Sequence, residues 1–179
     1  MMNSITLPDL IDTGRLILRR WTPEDAEELF GMASDPEIGT SAGWRPHQSV
    51  HDSICAIESW RSSNGVYAIV SRSYGRPVGC IEADADPDIL RKGPRDVEMG
   101  FWIGRRYWGQ GFAAEALSAL METAFSCGAS RVWCQCLEGN IQSARVMEKC
   151  GMSFHHRSVS ANDFTGEVIV CYYVIKKGH

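Results

Sequence analysis

The stretch Asp96–Glu115, D-V-E-M-G-F-W-I-G-R-R-Y-W-G-Q-G-F-A-A-E, decides how this 179-residue chain folds. In its first half Val97, Met99, Phe101 and Ile103 alternate with Glu98, Gly100, Trp102 and Gly104, the period-two pattern of a β-strand. One face is apolar and the other carries Glu98. Two arginines, two aromatics and G-Q-G follow. Then Phe112, Ala113, Ala116, Leu117, Leu120 and Ala124 recur at helical spacing. A strand therefore runs through a glycine-punctuated turn into a helix. The first turn of a helix has N–H groups without intrahelical partners, and the helix dipole adds partial positive charge there. Glycines let the backbone approach closely and take positive φ, so a phosphate can rest on several N–H groups at once. Arg105 and Arg106 add full charges nearby.

Three readings of this junction compete. A P-loop needs Lys directly after its last glycine, and Phe112 stands there, which removes it. A dinucleotide fingerprint, G-x-G-x-x-A, is met by Gly109, Gly111 and Ala114, with Glu138 in the region where a ribose-binding acid is sought. That fingerprint directly follows an apolar strand in an early βαβ unit. Here Arg105–Trp108 intervene and much of the chain comes first, which weakens a nicotinamide-dependent reading without removing it. The third reading is a resemblance. Arg106-x-x-Gly109-x-Gly111 is similar to the pyrophosphate loop of the GNAT acyltransferases: Gln or Arg, two residues, Gly, one residue, Gly or Ala. The longer string Y-W-G-Q-G-F-A-x-E-A, at Tyr107–Ala116, resembles the branch named for the ribosomal-protein acetyltransferases RimJ and RimL.

Length and composition fit one ordinary globular domain spanning residues 1–179, with 44% apolar and 22% charged residues. A net charge of −4 provides no basic field for nucleic acid, so none is expected as a partner. Two adjacent arginines on an acidic protein suit one small anionic ligand. The seven cysteines include no C-x-x-C pair and several sit in apolar patterns, so free thiols in a reducing compartment are expected. His155 and His156 lack a matching pair of ligands, and no metal is expected. The amino end has neither the basic start nor the apolar run of a signal peptide, and no stretch approaches membrane-spanning length. The expectation is a soluble, cytoplasmic protein.

Read in order, Arg15–Arg20 is a first strand, and Thr22-Pro23 opens a helix with Ala26, Leu29, Phe30 and Ala33 inward. Asp35–Gln48 is rich in turn residues and reads as a loop. Trp44 within it is either a substrate contact or a side chain tucked against the core. Ser49–Ser62 is a helix ended by Asn64-Gly65. Val66–Arg72 and Pro77–Ala85 form a hairpin through Tyr74-Gly75. The acidic run Asp84–Asp88 lacks the Gly and terminal Glu of a calcium loop and reads as a solvated strand exit. After the central strand and helix come a strand at Arg131–Leu137, a helix from Asn140 stopped by Gly151, and a closing hairpin of Met152–Val159 and Glu167–Ile175 around Asp163. An exposed last strand could pair two subunits into a homodimer.

The element order, β-α-α-β-β-β-α-β-α-β-β, is also that of the GNAT fold. The resemblance then implies an α/β (mixed α+β) architecture: one mixed, largely antiparallel sheet of about seven strands with about four helices on both faces. It implies that the central strand and the strand after the long helix lie parallel and splay apart around acetyl-coenzyme A. Pantetheine would pair with backbone at Trp102, Ile103 and Gly104. The pyrophosphate would rest on amides of Arg106, Trp108, Gly109, Gln110, Gly111, Phe112 and Ala113. The implied activity is N-acetylation of a primary amine, in a small molecule or at a protein amino terminus, by direct attack in a ternary complex. The alternative is a module of the same fold that binds acyl-coenzyme A as a sensor or scaffold.

Acetylating an amine requires a base for the ammonium proton, donors for the oxyanion and an acid for the thiolate. Glu98 is the candidate base, because the family often has a catalytic Glu at this place. The competing reading is a charged residue on a solvated strand face. Asn140 and Ser143 lie in N-I-Q-S-A-R-V-M-E-K-C-G-M, at Asn140–Met152. Physically, Asn140 is a good helix N-cap. In the RimJ/RimL branch such an Asn contacts the pantetheine arm, and such a Ser is proposed to protonate the departing thiolate. Ile141–Cys150 contains no Tyr, the residue that many other members use, which leaves Ser143 or water as the acid. The oxyanion falls to N–H groups at a bend around Trp102. His155 and His156 are a substrate contact or a polar strand face, and Cys136 is the weakest candidate nucleophile.

Overall fold

The strand read at the centre of the chain lies inside a single eight-stranded sheet in the computed structural model, which describes residues 5–63, 65–84, 93, 95–162 and 166–178. The strands are β1 (Leu10–Asp12), β2 (Leu16–Arg19), β3 (Val66–Ser71), β4 (Arg76–Asp84), β5 (Asp96–Ile103), β6 (Arg131–Leu137), β7 (Ser153–Asn162) and β8 (Gly166–Lys176). Their spatial order is β1-β2-β3-β4-β5-β6-β8-β7. Every pairing is antiparallel except β5 with β6. Among the described residues there are five α-helices: α1 (Ala26–Ala33), α2 (Pro36–Ala42), α3 (Val50–Arg61), α4 (Phe112–Ser126) and α5 (Ile141–Lys149). Helix α1 packs on α2, α3 and β4, while α4 lies along β5 and against α5, so helices cover both faces. One continuous core joins them, with Leu16, Leu29, Met99, Leu117 and Leu120 at 2% exposure or less.

Local chemistry accounts for where the elements start. Before α1, Pro23–Asp25 forms a 3₁₀ turn, and the Asp25 carboxylate accepts from Thr22 N–H at 3.0 Å and from Arg19 at 2.6 Å. Burial acts to raise the Asp25 carboxyl, but those donors outweigh it and hold it below its ordinary value. The Ser49 side chain caps α3, and Gly151 follows α5 at φ 85°.

Two expectations are corrected and two approximate counts are made definite. Residues 36–42 form helix α2 rather than loop: Asp35 accepts from Glu37 N–H at 2.9 Å, Pro36 takes the first position, and Gly43 at φ 80° ends it. Only Ile38 and Gly39 of α2 are buried, too few to show helical periodicity in sequence. Secondly, β1 adds an eighth strand, three residues long, with Ile11 buried and its flanks exposed. Thirdly, the expected count of about four helices becomes five among the described residues because of α2. Fourthly, the last strand is not an edge: β8 is paired on both sides, with β6 and β7, and β7 forms the border. Residue 64, residues 85–88 of the acidic run and the hairpin tip at Asp163 lie outside the described residues. All seven cysteines are free thiols. No helix among the described residues is long and apolar enough to cross a membrane.

Candidate active site

Strands β5 and β6 are paired only from Asp96/Arg131 to Met99/Cys134, although β5 continues to Ile103 and β6 to Leu137. Their ends part, and a cleft of about 1980 Å³ opens there. The ladder on the other side of β5 settles which backbone groups face it. Gly104 N–H donates to Val78 C=O at 2.9 Å, and alternation along the antiparallel pair turns the N–H groups of Gly100 and Trp102 toward β4 as well. Those of Phe101 and Ile103 point the opposite way, into the cleft. Of the N–H groups around Trp102 expected to serve the oxyanion, those of Phe101 and Ile103 face the cleft and that of Trp102 does not. The β4–β5 register is unbroken, with no bulge at Trp102, whose N–H is engaged in the ladder. Ile103 C=O accepts the Trp108 indole N–H at 2.7 Å, which pins the start of the turn to the strand.

After one 3₁₀ turn at Arg105–Tyr107, Gly109 and Gly111 adopt φ of 76° and 79°. That left-handed conformation costs other L-residues roughly 1–2 kcal/mol, so both glycines are required by the turn itself. Among the described residues no acceptor takes the N–H of Gly109, Gln110 or Gly111. Phe112 then opens α4, whose first N–H groups have no intrahelical partner. The loop is braced from behind. Arg15 donates to Gln110 C=O at 3.1 Å and to Glu115 at 2.6 Å, and the Thr13 hydroxyl donates to Glu115 at 2.6 Å. Burial acts to raise the Glu115 carboxyl, but Thr13 and Arg15 outweigh it, so Glu115 stays charged well into the acid range.

Across the cleft, Asn140 caps α5: its Oδ1 accepts from Ser143 N–H at 3.1 Å, and its Nδ2 donates to Ser41 C=O at 3.4 Å. One carboxamide thus joins the start of α5 to α2. Glu98 is half-buried on the face shared with Asp84, opposite it on β4, and Trp133, opposite it on β6. Trp44 is half-buried in the cleft wall, its ring 5.9 Å from Trp102 and 5.8 Å from His47. His47 Nδ1 lies 2.8 Å from Ser53 Oγ, and burial lowers its pKa while Asp52 acts the other way.

A splayed parallel pair that ends in a glycine loop at a helix amino terminus thus frames the cleft. Residues 15–153 match the family model "Acetyltransferase (GNAT) domain". The chain belongs to the GNAT acetyltransferase family. It is 30% identical over 148 residues to the uncharacterized N-acetyltransferase YoaA of Bacillus subtilis, covering 79% of this chain and 81% of YoaA. Its fold is similar to that of a GNAT-family acetyltransferase from Bacillus anthracis, with a TM-score of 0.84 at 21% identity over 95% and 99% of the two chains. It is also similar to RimL, the ribosomal L7/L12 α-N-protein acetyltransferase solved with coenzyme A, at a TM-score of 0.78, 17% identity and coverage of 93% and 97%.

Within this GNAT cleft most of the candidate residues come together. Trp102, Ile103 and Trp108 line one wall, Gly109, Gly111, Phe112 and Ala113 its end, and Asn140 and Ser143 the facing helix; Glu98 and Trp44 also line it. Gly104, Arg106 and Gln110 stand outside the lining. Gly104 is buried in the ladder, and the Gln110 amide turns to Tyr74 OH at 3.3 Å. The full charges expected beside the turn are drawn away. Arg105 pairs with Glu37 at 2.9 Å, and Arg106 with Glu28 at 3.0 Å while lying over the Tyr107 ring. The turn therefore presents backbone amides rather than guanidinium groups. Cys136 lines the cleft, but burial and then Cys171 push its thiol up to about 11, which leaves little thiolate at neutral pH. His155 and His156 lie outside the cleft: His155 packs on Trp133, and His156 stacks on Tyr172 at 4.6 Å.

Sequence reasoning missed Arg15, Glu82, Gln135, Glu115 and Tyr172. Glu82, Gln135 and Tyr172 line the cleft. Burial, and then the Glu98 charge, raise the Tyr172 phenol. No motif marks Glu82, Gln135 or Tyr172, whereas Glu115 lies within the string at Tyr107–Ala116. Strand register alone brings Glu82, Gln135 and Tyr172 to the face of Glu98.

Proposed function

We propose that this protein is an acetyl-coenzyme A-dependent N-acetyltransferase of the RimJ/RimL-like branch, acting on a primary amine by direct attack in a ternary complex. The observation that carries this is the Gly109–Ala113 turn, whose N–H groups stand ready for an anion at the open end of the β5–β6 splay. The two motifs at Tyr107–Ala116 and Asn140–Met152 support the branch. The amides from Gly109 to Ala113 hold the diphosphate, since the N–H groups of Tyr107 and Trp108 are already bonded within the preceding turn, and the cleft-facing backbone of Phe101 and Ile103 aligns the pantetheine arm. The acceptor is a small-molecule amine or a protein amino terminus.

Glu98 accepts the ammonium proton, directly or through one water, so that the amine lone pair can attack the thioester carbonyl. The N–H groups of Phe101 and Ile103 are the donors available to the oxyanion. As the tetrahedral intermediate collapses and the C–S bond breaks, Ser143 donates its hydroxyl proton to the departing thiolate and takes up the second proton shed by the attacking nitrogen. Cys136 forms no covalent intermediate in this scheme, consistent with its raised pKa. The free cysteines support work in a reducing compartment, the cytoplasm.

The test is calorimetric titration with acetyl-coenzyme A, followed by a panel of amines with detection of released thiol. Binding followed by amine-dependent thiol release is expected. No binding defeats the proposal. Binding without turnover across the panel identifies a sensor or scaffold instead.

A further inference from the structure

Glu82 is a second carboxylate on the wall that carries Glu98. In the β4–β5 register Glu82 stands opposite Gly100, and Asp84 opposite Glu98, so their side chains leave the same face of the sheet. Glu82 and Glu98 are diagonal neighbours, roughly 7–8 Å apart across the strands. Gly100 has no side chain, and Glu82 fills the space: a Cβ at Gly100 would lie 2.8 Å from Glu82 Oε1. The carboxylate therefore leans over β5, between the positions of Glu98 and Trp102. Among the described residues Glu82 makes no ion pair. It is accessible from the cleft, yet the surrounding protein, and then the Asp84 charge, hold its carboxyl above the ordinary range. An arriving cation relieves both effects. The walls beside it are aromatic, with Trp102 on the same strand face, Trp44 at 5.9 Å from Trp102, and Tyr172 lining the same cleft. Aromatic faces attract cations.

We propose that Glu82 sets acceptor specificity: it holds a second ammonium group of the acceptor while Glu98 faces the amine to be acetylated, so diamines and polyamines are preferred over monoamines. This rests on the acetyl-transfer reading and adds the substrate class to it. The shared chemistry is an amine with a second positive charge, supplied by a polyamine or by a peptide whose second residue is lysine.

The test measures binding, so it does not depend on turnover. Putrescine and n-pentylamine, matched in size but differing by one charge, are titrated calorimetrically into the protein loaded with coenzyme A. The wild type, Glu82→Gln and Gly100→Ala are compared after thermal melts confirm folding. The wild type is expected to bind putrescine ~10- to 100-fold more tightly than n-pentylamine, as a hydrogen bond to a charged group allows. The advantage should fall toward unity in Glu82→Gln. It should also fall in Gly100→Ala, which keeps the charge but displaces the carboxylate. A lysine-bearing peptide that competes better than putrescine places the second charge on a polypeptide and leaves the role of Glu82 intact. Equal binding of the two amines by the wild type, no binding of putrescine, or an advantage that survives Glu82→Gln overturns the proposal. A Glu82-dependent preference without acetylation defeats only the catalytic reading, whereas acetylation without the preference defeats only the role of Glu82.

Discussion

Replacing Gly109 with Ala isolates the proposed diphosphate cradle. Gly109 has φ 76°, and a Cβ there meets nothing within 4 Å, so the methyl has room and the penalty is conformational. For an L-residue that penalty is roughly 1–2 kcal/mol. A protein of this size should lose on the order of 2–8 °C in Tm from it. The turn can relieve the strain by rotating φ to negative values, which swings the neighbouring N–H groups away from the mouth of α4. Each lost hydrogen bond to a charged phosphate oxygen is worth about 1.5–3 kcal/mol, so acetyl-coenzyme A affinity should fall ~10- to 100-fold. Gly151→Ala serves as the matched control. It has φ 85° at the far end of α5, and its Cβ meets only Ile175 Cδ1 at 3.4 Å. It should lose similar stability with unchanged affinity. The assay is calorimetric titration with acetyl-coenzyme A alongside thermal melts of both variants. If Gly109→Ala shows the expected drop in Tm but binds within about threefold of the wild type, the amides of the turn do not hold the diphosphate, and the reasoning fails.

Three further outcomes follow from the same geometry. Glu98→Gln should lower kcat by ~10² to 10⁴ with acetyl-coenzyme A affinity nearly intact, and an unchanged rate removes Glu98 from the role of base. Ser143→Ala should reduce kcat by on the order of 10²-fold, whereas an unaltered kcat assigns the thiolate proton to water. Asp25, paired with Arg19 and held below its usual value of 3.8, contributes stability that is present above the unfolded pKa. That contribution disappears as pH falls through the lower folded pKa. Wild-type Tm should thus decline more steeply than that of Asp25→Asn between about pH 4 and pH 2, and parallel slopes contradict it.

What could be read without coordinates was whatever the backbone demands within a short window. The alternation in β5, the G-Q-G turn, the helical stripe of α4 and the cap at Asn140 each satisfy a local requirement, and local requirements leave marks in local residues. Glycine at 109 and 111 is legible because few other residues adopt φ near 76° and 79°. The family motif lay in those same windows, and most of the candidate residues named from them do line the cleft. Helix α2 shows the limit. Its Asp-Pro start and Gly stop are present, but with two buried residues it carries no periodicity to separate it from a loop.

The rest depended on pairings between residues far apart in the chain, which no local pattern encodes. Strand register turns the N–H groups of Phe101 and Ile103, rather than that of Trp102, toward the cleft, and shifting it by one residue would reverse that choice. Register also sets Glu82 into the gap left by Gly100. The insertion of β8 between β6 and β7 moves the sheet edge away from the final strand. Glu28 and Glu37 draw off the two arginines, leaving backbone dipoles to receive an anion. The sequence by itself determined the strand, turn and helix, because backbone conformation is a near-neighbour property. Only the tertiary structure decided which atoms face one another across the cleft, because that depends on where distant strands come to rest.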